Sequence, residues 1–228
     1  MPNEPDGLRI DLGCGHRKKK GTLGIDIEPL PDVDYVLDLE SQPLPFDDQS
    51  VAYVFSSNFL EHLEDPGRLF EEISRVCVDG ARLEFLTPYG GSNPGSVLGH
   101  KTFFTEDIYL HICVWYTDYW VQKLGVRWIL DELWYVIKPE TLWYLRRHRI
   151  DLDFAIKHLR NVVTEFWAHM TVRRRDLDTP APPFRRTFST KRFGPRYEIR
   201  HTEAFDETQA NTERAIRSFA KGGPLPPI

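Results

Sequence analysis

An apolar run that breaks into a glycine turn, followed closely by a second, acid-tipped run, opens this sequence. Leu8–Leu12 ends at a Gly-Cys-Gly turn at residues 13–15, and residues 22–27 carry Asp26 near their end. Glycine permits a positive φ and lets a ligand approach the backbone closely. Because ligands bind at the carboxyl ends of strands in an open parallel sheet, we expect the turn and Asp26 to lie in one crevice.

Strand and helix patterns alternate through the first half of the chain. Residues 34–39, 51–57 and 81–88 are apolar runs typical of buried strands. The stretch that follows Asp65 has apolar residues at helical spacing and a proline at its first position, which favours a capped helix. Strands that alternate with helices indicate parallel pairing through crossovers. The prediction is an α/β, Rossmann-like fold with a mostly parallel central sheet and helices on both faces.

The second half is less regular, and a compositional change follows it. The predicted elements are a helix from Thr105, a strand with a bulge or two strands at 126–137, an interrupted helix at 139–160 and a strand at 161–174. From about residue 176 prolines become frequent. We therefore divide the chain into a main domain, residues 1–175, and a Pro/Arg-rich extension, residues 176–228.

Composition excludes several classes of protein. Cys14, Cys77 and Cys113 form no CxxC pair, so we expect neither a disulfide framework nor a bound metal. The sequence shows no apolar stretch of about 18 residues and no leader-like segment, so a cytoplasmic protein without a membrane span is expected. The acidic excess of residues 1–100 does not favour a nucleic-acid partner. The basic excess after residue 173 is typical of a solvated tail, with contact to an acidic partner as the alternative.

Taken in order, these motifs resemble the class I S-adenosylmethionine-dependent methyltransferases, and among them the type 11 group. The resemblance spans about residues 8–105 and is carried by DLGCG at 11–15, GIDI at 24–27, QPLPFDDQS at 42–50 and LEHLEDP at 60–66. It implies S-adenosylmethionine as the methyl donor, with S-adenosylhomocysteine as the product. The cofactor-binding residues that it implies are Asp11, Gly13, Cys14, Gly15, Asp26, Ile27, Asp38, Leu39, Ser56 and Asn58.

The resemblance also assigns roles to these positions. The glycine turn would pass under the methionyl part of the cofactor, and Asp26 would hold the ribose. Asp38 would contact the adenine amino group, with Ile27 and Leu39 on either side of the ring. The stretch from Ser56 to Asn58 would lie along the cofactor.

Some features depart from the family pattern. The link between the glycine turn and the second strand, HRKKKG, is too short for the usual full helix. Asp79-Gly80 stands where the family commonly has two glycines, and Ala52 stands where an acid is frequent. A dinucleotide-binding domain is the rival fold, but it requires a third glycine three residues after the second, and that position is occupied by Lys18.

Two histidines are the candidate catalytic residues. His62 follows the fourth strand and His100 follows the fifth. Either imidazole could remove a proton from an acceptor hydroxyl near neutral pH, and a structural hydrogen bond is the alternative for each. Glu61 is interpreted as a solvated or loop-bracing acid. Cys14 is not expected to be a nucleophile, because no activating partner is evident.

The acceptor is the least constrained part of the prediction. We expect methyl transfer to an oxygen or nitrogen of a small molecule, for which a sugar-containing or secondary metabolite is the guess from the family's habits. The alternatives are a protein or RNA acceptor held by the basic tail, and a non-catalytic scaffold with the same fold. The aromatic residues between 109 and 143 would divide between the core and an acceptor pocket, and a homodimer is compatible with them.

Overall fold

The computed structural model describes residues 5–199, which contain nine strands and five α-helices. The strands are β1 (Leu8–Leu12), β2 (Leu23–Asp26), β3 (Tyr35–Val36), β4 (Val51–Ser57), β5 (Cys77–Pro88), β6 (Arg127–Val136), β7 (Glu165–Arg173), β8 (Arg185–Ser189) and β9 (Tyr197–Glu198). The helices are α1 (Pro66–Val76), α2 (Glu106–Leu110), α3 (Thr117–Leu124), α4 (Pro139–Arg147) and α5 (Leu152–His158). Short 3₁₀ turns lie at Leu60–His62 and Pro94–Ser96, and a π-helical turn lies at His111–Trp115.

All nine strands belong to one sheet, in the order β3-β2-β1-β4-β5-β7-β6-β8-β9. The pairs among β3, β2, β1, β4 and β5 are parallel, and β6 pairs with β8 in parallel as well. Strand β7 runs antiparallel to both β5 and β6. The predicted mostly parallel, Rossmann-like sheet is therefore confirmed, and β6 is one strand with a register shift between Leu130 and Glu132.

The first three connections of the sheet contain no helix, and every residue from 8 to 57 is described. Helix α1 makes the crossover from β4 to β5, and it begins as predicted, with the Asp65 side chain accepting a hydrogen bond from the backbone of Gly67. Helices α2 and α3 connect β5 to β6, whereas α4 and α5 connect β6 to β7. No helix of the described residues is long and apolar enough to cross a membrane.

Helices pack against one face of the sheet through aromatic contacts. The Phe70 ring of α1 stacks on Phe85 of β5 at 6.2 Å and lies 5.1 Å from Trp128 of β6. Tyr109 of α2 contacts Phe166 of β7 at 5.8 Å. The strand register places Phe85, Trp128 and Phe166 on the same side, so these contacts bury one continuous core.

The opposite side carries a different set of residues, which we call the aromatic face. Its buried cluster consists of Tyr53, Phe55, Leu86, Trp134 and Trp167. Beside this cluster the register aligns charged and polar groups in one row across four strands, namely Glu84, His169, Glu132 and Arg185.

Strands β8 and β9 were not predicted. They fall within residues 176–199, which the sequence assigned to the extension, and they continue the sheet beyond β6. Buried Glu132 of β6 binds this segment: it accepts hydrogen bonds from Thr187 at 2.7 Å and Arg196 at 2.6 Å. The compact unit therefore reaches Glu198 rather than residue 175. The rest of the predicted extension, residues 200–228, lies outside the described residues.

Replacing Thr187 with valine tests whether this segment belongs to the folded body. The variant keeps the side-chain shape but removes a donor to the buried Glu132 carboxylate, which costs roughly 1–3 kcal/mol of the free energy of unfolding. We expect one thermal transition whose midpoint falls by about 2–8 °C, measured by circular dichroism. Thr179→Val, at an exposed position, is the control. An unchanged midpoint for Thr187→Val would show that β8 melts separately from the sheet.

Candidate functional site

The glycine turn is held across the end of β2 by its own backbone. The N–H groups of Gly13 and Cys14 both donate to the carbonyl of Ile25, at 2.9 and 3.2 Å. The N–H of Gly15 donates to a carboxylate oxygen of Asp26 at 2.8 Å. Gly13 and Gly15 have φ angles of +65° and +48°, which glycine adopts without the steric cost that other residues meet. The turn and Asp26 therefore form one unit, as predicted.

Space around this unit suits a nucleoside ligand. A side chain built on Gly15 would meet no atom within 4 Å, so the turn is open at that point. Asp26 is partly exposed and Ile27 beside it is 62% exposed. A carboxylate can accept hydrogen bonds from two ribose hydroxyls, and an exposed isoleucine next to it can cover an apolar ring. The open turn, the carboxylate and the exposed isoleucine thus fit the cofactor that the resemblance implies.

Asp38 and Leu39 lie in the neighbouring turn, just after β3. Asp38 accepts hydrogen bonds from the Ser41 hydroxyl at 2.6 Å and from the N–H of Glu40 at 3.0 Å. These bonds, that from Ser41 first, lower the pKa of its carboxyl. Leu39 is buried. Asp38 is thus ionised and braces its own turn, while each of its oxygens keeps a lone pair for a further donor.

Three of the predicted cofactor residues have buried side chains that brace the turn from inside. The Asp11 carboxylate accepts a hydrogen bond from the N–H of Lys19 at 2.7 Å, and burial raises its pKa to about 6. The Ser56 hydroxyl donates to the carbonyl of Leu12 at 3.1 Å. Burial raises the pKa of the Cys14 thiol to about 11, so this residue stays protonated, in line with its expected lack of nucleophilicity.

Phe59 is a site residue that the sequence analysis missed. Asn58 has a φ of +54°, and this left-handed turn redirects the chain after β4. The Phe59 ring then lies against the glycine turn so closely that a Cβ on Gly13 would be 2.1 Å from its Cγ atom. The signal was present in the sequence, since an aromatic residue directly follows the polar end of a buried strand.

His62 and His100 come together although 37 residues separate them along the chain. Their ring centroids are 4.9 Å apart in an edge-to-face arrangement. Nδ1 of His62 lies 3.1 Å from the carbonyl of Gly99, and Nδ1 of His100 lies 3.2 Å from the carbonyl of Gly95. A carbonyl only accepts hydrogen bonds, so each Nδ1 carries the proton and each Nε2 has its lone pair available.

Glu61 lies beside these histidines, and its predicted solvation is wrong. Its side chain is 2% exposed, and neither carboxylate oxygen accepts a well-formed hydrogen bond among the described residues. Its own backbone N–H and the Asn58 side chain are the nearby donors. Burial raises its pKa to about 7, although its own backbone N–H and the charge of His100 oppose that rise. Its backbone carbonyl does brace a loop, because it accepts hydrogen bonds from the N–H groups of Lys101 and Thr102.

An apolar cavity of about 450 Å³ opens between the start of α1 and the α2–α3 segment. Its aromatic lining includes Phe70, Phe104, His111, Trp115 and Trp120. Thr102 also lines it, and the N–H of Thr102 binds the backbone of Glu61. Among the aromatic residues of this region, Tyr109 is fully buried while Trp115 is 54% exposed.

Comparison with known proteins agrees with this geometry. A family model described as a methyltransferase domain matches residues 16–85, the segment directly after the glycine turn. Residues 16–85 are thus similar to a methyltransferase domain, and the chain shares the fold of an S-adenosylmethionine-dependent methyltransferase. This similarity implies S-adenosylmethionine as the cofactor and S-adenosylhomocysteine as the product. No curated protein sequence matches the chain.

Solved structures share the fold at low sequence identity. An S-adenosylmethionine-dependent methyltransferase from Archaeoglobus fulgidus is 16% identical, with a TM-score of 0.50 over 72% of this chain and 86% of that one. A chain from the complex of the Haloferax volcanii Trm112 methyltransferase activator with a methyltransferase is 18% identical, with a TM-score of 0.47 over 76% and 85%. A methyltransferase from Mesorhizobium loti is 18% identical, with a TM-score of 0.43 over 74% and 93%.

The buried Asp11 carboxyl beside the glycine turn should make the free energy of unfolding depend on pH. In the folded protein the pKa of Asp11 is about 6, above its ordinary value of 3.8. The stability that this raised pKa contributes is therefore fully present below pH 4 and is lost as the pH rises through 6. Asp11→Asn keeps an oxygen that can accept from Lys19 and removes this titration. We expect the variant to gain about 1–3 kcal/mol relative to the parent between pH 4 and pH 7, measured by urea unfolding. A difference that is constant over this range would contradict the assignment.

Proposed function

We propose that this protein transfers a methyl group from S-adenosylmethionine to an oxygen or nitrogen atom of a small-molecule acceptor. The observation that carries the proposal is the hydrogen bond from the backbone of Gly15, in an open turn, to the Asp26 carboxylate at the end of β2. When bound, the cofactor supplies a sulfonium methyl group, whose leaving group needs no protonation. The work left to the chain is to hold donor and acceptor in line and to remove the acceptor's proton.

Residues at the ends of the first three strands would bind the cofactor. Asp26 accepts hydrogen bonds from the ribose, and Asp38 accepts one from the adenine amino group. Ile27 and Leu39 flank the adenine, and the exposed fraction of Ile27 is the surface that the ring would cover. Gly13 and Gly15 pass under the methionyl part, with Phe59 closing that side of the turn.

The imidazoles of His62 and His100 are the groups that manage the acceptor's proton. Both hold their Nδ1 proton against a backbone carbonyl, which leaves Nε2 as the acceptor. His62 is exposed and His100 is partly exposed, so an acceptor can reach both rings. Thr102 lines the aromatic cavity, and its backbone bonds to Glu61, the residue before His62. The cavity volume of about 450 Å³ lies in the range of small-molecule sites.

Several arginines are already bonded to acids and carbonyls within the fold, which supports a small-molecule acceptor over a nucleic acid. Arg186, Arg192 and Arg196 form ion pairs with Asp153, Glu165 and Glu132. Arg174 donates to the carbonyls of Ser74 and Cys77, at 2.7 and 2.9 Å. Arginines held in this way secure β8 and the end of β7 to the rest of the sheet, and they are not presented together as a phosphate-binding surface.

Titration calorimetry with S-adenosylhomocysteine tests the cofactor site. We expect micromolar binding by the parent protein. Asp26→Ala should weaken binding at least tenfold, because it removes the ribose acceptor and the bond that holds Gly15. Asp26→Asn keeps one acceptor oxygen and should lie between the two. Asp32→Ala, at an exposed acid in the following loop, is the control. If the parent does not bind, the short HRKKKG link has closed the site and the scaffold alternative applies.

Substitution of Trp115 by alanine tests the acceptor cavity. The acceptor is first found by screening hydroxyl- and amine-bearing metabolites for production of S-adenosylhomocysteine. Trp115→Ala should raise the KM for that acceptor at least fivefold, since a stacking surface is lost, and leave the affinity for S-adenosylhomocysteine unchanged. Trp143→Ala removes an equally exposed tryptophan on α4 and should change neither value. Equal effects of the two substitutions would exclude the cavity as the acceptor site.

A further inference from the structure

We propose that Glu61, His62 and His100 bind one divalent transition-metal ion, with Zn²⁺ and Mn²⁺ as the best-suited ions. One carboxylate oxygen of Glu61 and one nitrogen of each ring lie within 4.8 Å of one another. Donor atoms around a tetrahedral Zn²⁺ ion, with bonds of about 2.0–2.2 Å, lie about 3.4 Å apart. Small side-chain rotations would close the remaining distance.

The Glu61 carboxylate is the strongest evidence for this site. It is buried, and neither oxygen accepts a well-formed hydrogen bond in the described part of the chain. The nearby donors are its own backbone N–H and the Asn58 side chain. Burial of a carboxylate without a partner is costly, and buried charges in proteins are paired or coordinate metals. Its backbone is fixed by the N–H groups of Lys101 and Thr102, so the side chain cannot reach solvent by a simple shift of the turn. A cation would satisfy both oxygens.

The two histidines are already oriented as metal ligands usually are. A ligating histidine normally donates its second ring N–H to a carboxylate or backbone carbonyl, which fixes the tautomer and the ring orientation. His62 and His100 both place Nδ1 against a carbonyl, of Gly99 and Gly95 respectively. Both Nε2 atoms are then neutral donors, the form in which imidazole binds Zn²⁺, Mn²⁺ and related ions.

Neighbouring charges favour a cation. Lys101 is the nearby base, and its ammonium group lies 3.1 Å from Glu64 and 3.6 Å from Glu40, so two acids neutralise it. On the buried side, burial first and the Glu61 charge second raise the pKa of the Tyr109 hydroxyl. Among residues 5–199 that hydroxyl has no hydrogen-bond partner. A direct Glu61–Tyr109 bond is therefore the alternative that the test must separate from metal binding.

Three protein ligands leave coordination positions open, which is the arrangement of catalytic rather than structural metal sites. The following role rests on the proposed function, whereas metal binding itself does not. An acceptor hydroxyl bound to the ion would lose its proton to water. Its oxygen would then form the bond to the methyl carbon as the carbon–sulfur bond of the donor breaks. With the ion bound, both Nε2 atoms would be metal ligands rather than proton acceptors, and the ion would replace the imidazoles as the group that activates the acceptor hydroxyl.

Metal binding is measured directly on the full chain, freed of any tag and stripped with a chelator. Titration with Zn²⁺ alone by calorimetry should give one site per chain at micromolar affinity or better. Mn²⁺ binding followed by electron paramagnetic resonance should show the same stoichiometry. Glu61→Gln, His62→Gln and His100→Gln should each weaken binding at least tenfold. His158→Gln, on an exposed histidine of α5, should bind as the parent does, and Tyr109→Phe should change the affinity by less than threefold.

Several results would overturn the proposal. One is the absence of binding by the parent protein at 100 µM metal. Another is an unchanged metal affinity in Glu61→Gln, which would leave Tyr109 as the partner of that carboxylate. Equal losses in His158→Gln and His62→Gln would show adventitious surface binding. Titration of the stripped protein with S-adenosylhomocysteine separates this outcome from failure of the proposed function. Cofactor binding without metal binding would rule out only the metal site. Metal binding without cofactor binding would rule out only the proposed methyl transfer.

Discussion

The hydrogen bond from the backbone N–H of Lys19 to the buried carboxylate of Asp11 holds the first part of the fold together. It closes the short link that replaces a helix between β1 and β2. With the link closed, the Lys19 side chain extends over the aromatic face, where it donates to the Tyr53 hydroxyl and, at 3.0 Å, to Glu84. Glu84 also accepts a hydrogen bond from the Tyr53 hydroxyl. The bonds from Tyr53 and Lys19 together outweigh the effect of burial and lower the pKa of Glu84. One lysine thereby connects the glycine turn to β4 and β5 and covers apolar surface with its stem.

The aromatic face shows how charge can be accommodated on a sheet. Glu84, His169 and Glu132 lie side by side on three neighbouring strands because the register aligns them. The register shift in β6 next to Leu130 is what brings Glu132 into this row. Burial lowers the pKa of His169 despite the two flanking acids, so the acids find their positive partners elsewhere: Glu84 in Lys19, and Glu132 in Arg185 and Arg196. Cations from the two ends of the described chain thus balance the acids at the centre of the sheet.

Features set by local chemistry could be predicted from the sequence, and features set by distant contacts could not. β1, β4 and the Asp65 cap of α1 follow from apolar runs and a capping residue, and the Gly15–Asp26 unit follows from glycine and the ends of parallel strands. β8 was missed because its residues RRTFS lack a strong apolar alternation, and its place depends on bonds of Thr187 and Ser189 to side chains of β6. The burial of Glu61 was missed for a similar reason. It depends on the loop of residues 95–102 folding over the turn, which no pattern around Glu61 itself indicates.

The segment from Ser56 to His62 physically joins the cofactor turn to the two histidines. Ser56 is fixed within the sheet by its bond to Leu12, and the N–H of Asn58 donates to Leu86 at 2.9 Å. Phe59 then rests on Gly13, and one 3₁₀ turn later Glu61 and His62 meet the loop that carries His100. Because this turn is short and anchored at both ends, it fixes how far the Phe59 ring and the Glu61 carboxylate lie from each other along the chain. The glycine turn and the Glu61, His62 and His100 cluster are therefore positioned by the same short segment of chain.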